Sequence, residues 1–238
     1  MQAKVHEYQG GDIAARGYLA LPEEKGKRPG ILVVHEAPGL DDHAKRRAEM
    51  LAGLGYVALA ADLHGGGIVA ASPKEALALA RGLREKPDLL RSRMRTALAT
   101  LAAVPEVDGA RLGAIGYCFG GMSVLELART GAELSGVVSF HGLLETPRPA
   151  AAGDIKAKIL ACTGAADPLV PSEQVARFQA EMTEARADWQ VITYGGAKHA
   201  FTNPAADSIP LPGFGYSREA DTRSWSAMQS FFNEVFEA

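Results

Sequence analysis

The chain has 238 residues, with 25 basic and 28 acidic side chains giving a net charge of −3. At ~100–200 residues per domain this length is read as a single domain, and the near-neutral balance excludes the clustered basic excess of a nucleic-acid footprint. Two cysteines far apart in the chain exclude a disulfide framework and a CxxC redox pair, so each needs its own explanation.

In chain order, Lys4–Tyr8 and Asp12–Leu21 flank Gly10-Gly11 and read as a β-hairpin. Pro22–Gly30 is charged and carries Pro and Gly, which predicts a surface loop. Ile31–Val34 and Tyr56–Ala60 are apolar runs of buried-strand length, separated by a helical stretch over Asp41–Gly55. Ser72 followed by Pro73 is an N-cap signature for a helix that Pro87 interrupts, and a second helix is predicted from Asp88 to Ala103. Arg111–Gly116 predicts a strand that runs into Tyr117-Cys118-Phe119-Gly120-Gly121 and then a helix to about Thr130. Three more strands follow at Val137–Phe140, Ile159–Thr163 and Gln190–Tyr194, with helices over Ser172–Ala187 and Arg218–Phe236. A hairpin followed by β-α repeats predicts an α/β fold: a mostly parallel sheet with helices on both faces.

The N-terminus, MQAKVHEYQGGD, has no apolar h-region, and no run approaches the ~18 apolar residues of a membrane span. A cytoplasmic protein with reduced thiols and no membrane partner is expected.

The strongest local signal is Gly116-x-Cys118-x-Gly120-Gly121 between a strand and a helix. This is the context of a nucleophile elbow, with cysteine in the serine place. Side chains two positions to either side would collide as strand and helix close up. Cys118 would sit at a helix N-terminus, where the partial positive charge favours the thiolate. The N–H of Phe119 would be one oxyanion donor. Cys162, in the strand ILACTG with no glycine turn, reads as core filler.

A thiol nucleophile needs a base and the base needs an orienting group. In chain order, Asp167 in GAADPLVP and His199 in GGAKHAFTNP each follow a strand, on the rim where open α/β sheets place their sites. Asp154 and Asp188 compete with Asp167, and His35, His64 and His141 also follow strands, but only His199 follows the last one. Glu36 in His35-Glu36-Ala37-Pro38-Gly39 reads two ways, as a solvated loop carboxylate or as a proton acceptor for the thiol. The same loop would supply the second oxyanion donor from the N–H of Ala37. Pocket walls are expected from Pro38, His64, His141, Phe201 and Asn203. Ile209–Tyr216 (IPLPGFGY) reads either as a lid or as a surface connection, and its Phe214 and Tyr216 leave a homodimer contact open.

Together, Glu36 in HEAPGL, Cys118 in GYCFGG, Asp167 in GAADPLVP and His199 in KHAF resemble the dienelactone hydrolase family of α/β-hydrolases. The resemblance runs nearly the length of the chain, with the four motifs in family order. It implies the α/β-hydrolase fold, a Cys118–His199–Asp167 triad, and Glu36 as the residue that helps deprotonate the thiol when substrate binds. One departure stands out. Asn203 occupies the place of an arginine that grips the substrate carboxylate, and the family's second substrate arginine has no clear counterpart, Arg81 lying in a loosely aligned helical stretch. Without a bidentate carboxylate clamp, neutral esters, lactones or aryl esters fit better than anionic lactones. The chain also looks close to dienelactone-hydrolase-like proteins with promiscuous phosphotriesterase activity, so an organophosphate is a further candidate substrate.

The rival readings are a metal-dependent hydrolase and a non-catalytic binding module on the same fold. No HExxH-type spacing occurs, and Asp41-Asp42-His43 reads as a solvated helix cap, so neither metal nor cofactor is expected. Gly65–Gly67 make neither G-x-G-x-x-G nor a P-loop.

Overall fold

The run Arg28-Pro-Gly-Ile-Leu-Val-Val has no charge after its first residue, so it can be buried on both faces, as a central parallel strand must be. In the computed structural model, which describes residues 1–237, it forms β3 (Arg28–Val34), with its last six residues buried. Eight strands make one mostly parallel sheet in the order β1-β2-β4-β3-β5-β6-β7-β8. The chain packs as two compact units, Met1–Ile115 and Gly116–Ala238.

In the first unit, β1 (Gln2–Gln9) and β2 (Ala14–Leu21) form the antiparallel hairpin, from Gln2 opposite Leu21 to Gln9 opposite Ala14. β2 continues antiparallel onto β4 (Val57–Ala61), and β4 runs parallel to β3. All five residues of β4 are buried, so both of its faces are covered. Helix α1 (Asp42–Gly53) begins where Asp41 Oδ1 accepts the N–H groups of His43 and Ala44. Helices α2 (Pro73–Arg84) and α3 (Pro87–Ala102) each place a proline in the first turn, as expected for Pro73, whereas Pro87 opens α3 instead of preceding it. β3 begins three residues before the predicted strand. Arg28 N–H donates to Glu106 O, and Gly30 packs against Leu101, Val107 and Leu112, all distant in sequence. β5 spans Val107–Tyr117, also longer than predicted.

In the second unit, helix α4 (Phe119–Arg129) opens on Cys118, and β6 (Gly136–Phe140), β7 (Lys158–Gly164) and β8 (Trp189–Tyr194) run parallel, Phe140 opposite Cys162 and Gly164 opposite Tyr194. Helix α5 (Ser172–Glu184) joins β7 to β8, and α6 (Arg218–Glu237) closes the chain after a 3₁₀ turn over Pro204–Ser208. Helix α4 is buried along its whole length. That burial requires its one cation to be paired. Arg129 donates from Nε and Nη2 to the two carboxylate oxygens of Glu181, from Nη1 to Glu126 and from Nη2 to Leu144 O.

With Arg129 only 1% exposed, Arg129→Met leaves Glu126 and part of Glu181 uncompensated in the interior. Breaking a buried pair this way costs about 3–5 kcal/mol. Urea unfolding is expected to show that loss, and a variant within about 1 kcal/mol of the parent would contradict it.

Candidate active site

Four neighbouring strands, β5 to β8, each deliver one residue at the carboxyl end, where open α/β sheets carry their sites. Cys118 follows β5 directly, His141 follows β6 directly, and Asp167 and His199 stand in the loops after β7 and β8.

The elbow is built as its glycines demand. Cys118 has φ 52° and ψ −112°, a left-handed conformation that non-glycine residues adopt at a cost of roughly 1–3 kcal/mol. A Cβ on Gly116 would lie 2.1 Å from Gly120 O, and one on Gly121 would lie 2.8 Å from Gly142 Cα. Cys118 N–H donates to Phe140 O, and the Tyr117 and Phe140 rings stack at 4.8 Å. The thiol is half-buried, while Cys162 is fully buried. Burial pushes the Cys162 thiol up to about 12, which keeps it protonated and inert.

From Cys118 a hydrogen-bonded chain runs inward. His199 Nε2 lies 3.0 Å from Cys118 Sγ, and His199 Nδ1 lies 2.8 Å from Asp167 Oδ2. Asp167 Oδ1 accepts Leu169 N–H at 2.8 Å, so both carboxylate oxygens are held. His199 and Asp167 are buried. Burial alone would pull the imidazole down. The charge on Cys118 and the hydrogen bond from Asp167 outweigh it and raise His199 from 6.5 to about 10.

The segment 209–216 braces the imidazole. His199 N–H donates to Gly213 O and His199 O accepts Gly215 N–H, while the Phe214 ring packs edge-on against His199 at 4.8 Å. Gly213, at φ 86°, leaves no room for a side chain, since its Cβ would meet Pro168 Cγ at 2.4 Å. One short loop thus touches the neighbours of both Asp167 and His199. Sequence reasoning missed Gly213; its only signal was a glycine between proline and aromatic residues.

The other expected residues are placed as follows. His141 is fully buried with φ 40°, its ring 5.4 Å from that of His199 and 5.1 Å from that of Phe201. Phe201 is also fully buried. Asn203 caps the 3₁₀ turn, its Oδ1 accepting Ala205 N–H. Phe119 is the first residue of α4, where helix N–H groups have no intrahelical acceptor. Of the four non-glycine residues with positive φ among those described, Cys118, His141 and Ala200 gather here.

In the first unit, the loop after β3 carries Glu36, Ala37 and Pro38. Leu63 N–H donates to His35 Nε2, so His35 donates from Nδ1 to Glu36 O; burial and neighbouring His64 hold His35 down to about 4. His64 Nε2 donates to Ala37 O, and burial lowers its proton affinity. Glu36 is buried with its Oε2 3.6 Å from His43 Nδ1, and Arg47 Nε donates to His43 Nε2. The expectation of a solvated cap at 41–43 is corrected here: Asp41 caps α1 and Asp42 is exposed, but His43 turns inward to Glu36. Arg81 lies on the exposed face of α2, paired with Glu85. Among the described residues, no group of three or more His, Cys, Asp or Glu side chains is arranged to hold a metal ion. No described helix is long and apolar enough to cross a membrane.

The dienelactone hydrolase family model matches residues 15–236. The chain belongs to the dienelactone hydrolase family. Among solved structures it is similar to m3DLH, 45% identical with a TM-score of 0.94. It is also similar to a dienelactone hydrolase-like promiscuous phosphotriesterase from metagenomic libraries, 43% identical with a TM-score of 0.93. Each comparison covers 98% of both chains. A protein of Methylorubrum extorquens that carries the carboxymethylenebutenolidase name is 30% identical over 91% of this chain and 76% of its own. The sheet described above is therefore that of an α/β-hydrolase, and this member of the family is an ester or lactone hydrolase.

The raised proton affinity of His199 has a defined pH signature. The stabilisation it contributes is fully present below about 6.5, the unfolded value, and is lost as pH rises through about 10. In a ring-nitrogen NMR titration, His199 is expected to keep its proton at about pH 8. A midpoint near 6.5 would show that Cys118 and Asp167 do not hold it.

Proposed function

We propose that the chain cleaves carboxylic esters and lactones by covalent catalysis at Cys118. The observation that supports this most is the unbroken chain from Asp167 through His199 to the Sγ of half-buried Cys118, 2.8 Å and 3.0 Å long in its two links.

In this reading His199, oriented by Asp167, holds the proton of Cys118 and leaves a thiolate. The thiolate attacks the carbonyl carbon, and the carbonyl π pair moves to oxygen, where the N–H of Phe119 receives it. As the tetrahedral intermediate collapses, the C–O bond breaks and His199 Nε2 protonates the leaving alkoxide. A water then gives its proton to Nε2 and attacks the thioester, and the C–S bond breaks to return thiolate and release the acid. The family motif adds two roles to this scheme: the N–H of Ala37 as second oxyanion donor, and Glu36 as the group that assists removal of the thiol proton.

The absence of arginine at Asn203 favours a neutral acyl group over an anionic lactone. The likeness to a promiscuous phosphotriesterase supports a side activity, in which the same thiolate displaces aryloxide from phosphorus and water clears the S-phosphoryl cysteine. A reduced thiol suits the cytoplasm.

Cys118→Ala is expected to lower kcat for a p-nitrophenyl ester by several orders of magnitude, roughly the loss seen on removing a triad member. Intact-mass spectrometry during turnover of a slow ester is expected to show one acyl adduct, located on Cys118. Near-parental activity in a folded Cys118→Ala variant would end this reading, and loss of activity to a chelator with rescue by Zn²⁺ would favour a metal-dependent hydrolase instead.

A further inference from the structure

His141 was expected to line the pocket, yet it has no exposed surface, and its two ring nitrogens are committed to opposite sides of the site. Cys118 N–H donates to Nδ1 at 3.1 Å, sharing its proton between that nitrogen and Phe140 O at 3.0 Å. The other nitrogen, Nε2, lies 2.8 Å from Thr202 Oγ1.

The donor settles the tautomer. A backbone N–H can only donate, so Nδ1 carries no proton, the ring is neutral, and its single N–H at Nε2 donates to Thr202. Thr202 stands three residues after His199, and the His141 ring also lies edge-on to the His199 ring at 5.4 Å. One neutral imidazole therefore links the backbone that aims the nucleophile to the loop that carries its base. His141 itself sits at φ 40°, and a non-glycine residue keeps such a conformation only where its surroundings over-determine it.

We propose that His141 is a positioning residue for the nucleophile, clamping the strained Cys118 peptide through Nδ1 and the His199 loop through Nε2. It acts through the Cys118 peptide and the loop that carries His199. Its effect is on the direction of the Cys118 Sγ–His199 Nε2 line, and so on thiolate formation and attack, not on substrate affinity. The proposal rests on the Cys118 reading above.

The test compares three full-length proteins: parent, His141→Phe and His141→Asn. Phenylalanine keeps a ring of similar shape without either hydrogen bond. Asparagine can place its amide oxygen where Nδ1 stood, and asparagine tolerates positive φ. With a p-nitrophenyl ester, His141→Phe is expected to lower kcat by about 10–100-fold, the range for orienting groups behind reactive ones, with KM within about twofold. His141→Asn is expected to recover most of that loss. The second-order rate of iodoacetamide alkylation at Cys118, read by peptide mass, is expected to fall and recover in parallel. Buried Cys162 serves as the slow internal reference. A His141→Phe kcat within about threefold of the parent would overturn the proposal. So would equal losses in the two variants, or a change confined to KM. Cys118→Ala measured beside them separates the failures: if that variant stays active the nucleophile assignment is wrong, whatever His141 does. Should His141→Phe fail to fold, Thr202→Val removes the Nε2 acceptor while keeping the side chain's shape, and an unchanged alkylation rate there counts against the clamp.

Discussion

A thiol, an imidazole and a carboxylate must meet within hydrogen-bond distance, although each rises from a different strand. The second unit brings them together. Strands β5 to β8 are neighbours in the sheet and β6 to β8 run parallel, so residues far apart in the chain meet. The sheet fixes the bases of the loops, and the loops must then be stiff, because a displacement of about 1 Å between reacting groups can cost a hundredfold in rate.

Stiffness comes from strain held in place by packing. Cys118, His141 and Ala200 all occupy left-handed backbone conformations without being glycine. Such conformations persist only when neighbours forbid relaxation. The neighbours are visible: Gly116 and Gly121 admit backbone where a methyl group would collide, and Phe140 O and His141 Nδ1 both receive the Cys118 N–H. The electrostatics follow from the same closure. Burial opposes a charge on His199, and only the adjacent Cys118 and Asp167 reverse that opposition.

The elbow was legible in the sequence because its chemistry is local. A strand, a cysteine between glycines and a helix lie consecutively, and steric exclusion dictates the glycines. Asp167 and His199 were legible by order, since each follows a strand whose apolar run marks it. His141 was legible as a residue after a strand, but not in its orientation, which depends on a threonine 61 positions away. His43 was misjudged for the same reason: its helix start looks solvated, and nothing nearby announces that its ring turns toward Glu36. The early start of β3 depends on Glu106, Leu101 and Leu112, which pattern reading along the chain cannot bring to Gly30.

The loop around Gly213 carries a consequence for how this chain can change over generations. It bonds to His199 on both sides and rests on Pro168, beside Asp167. In many enzymes the loop near a general base is free to lengthen and so to acquire new substrates. Here an insertion at 213–215 would pull on His199 and on the Asp167 loop together. An insertion in this stretch is therefore felt at two side chains at once, unlike one in a loop that rests on neither.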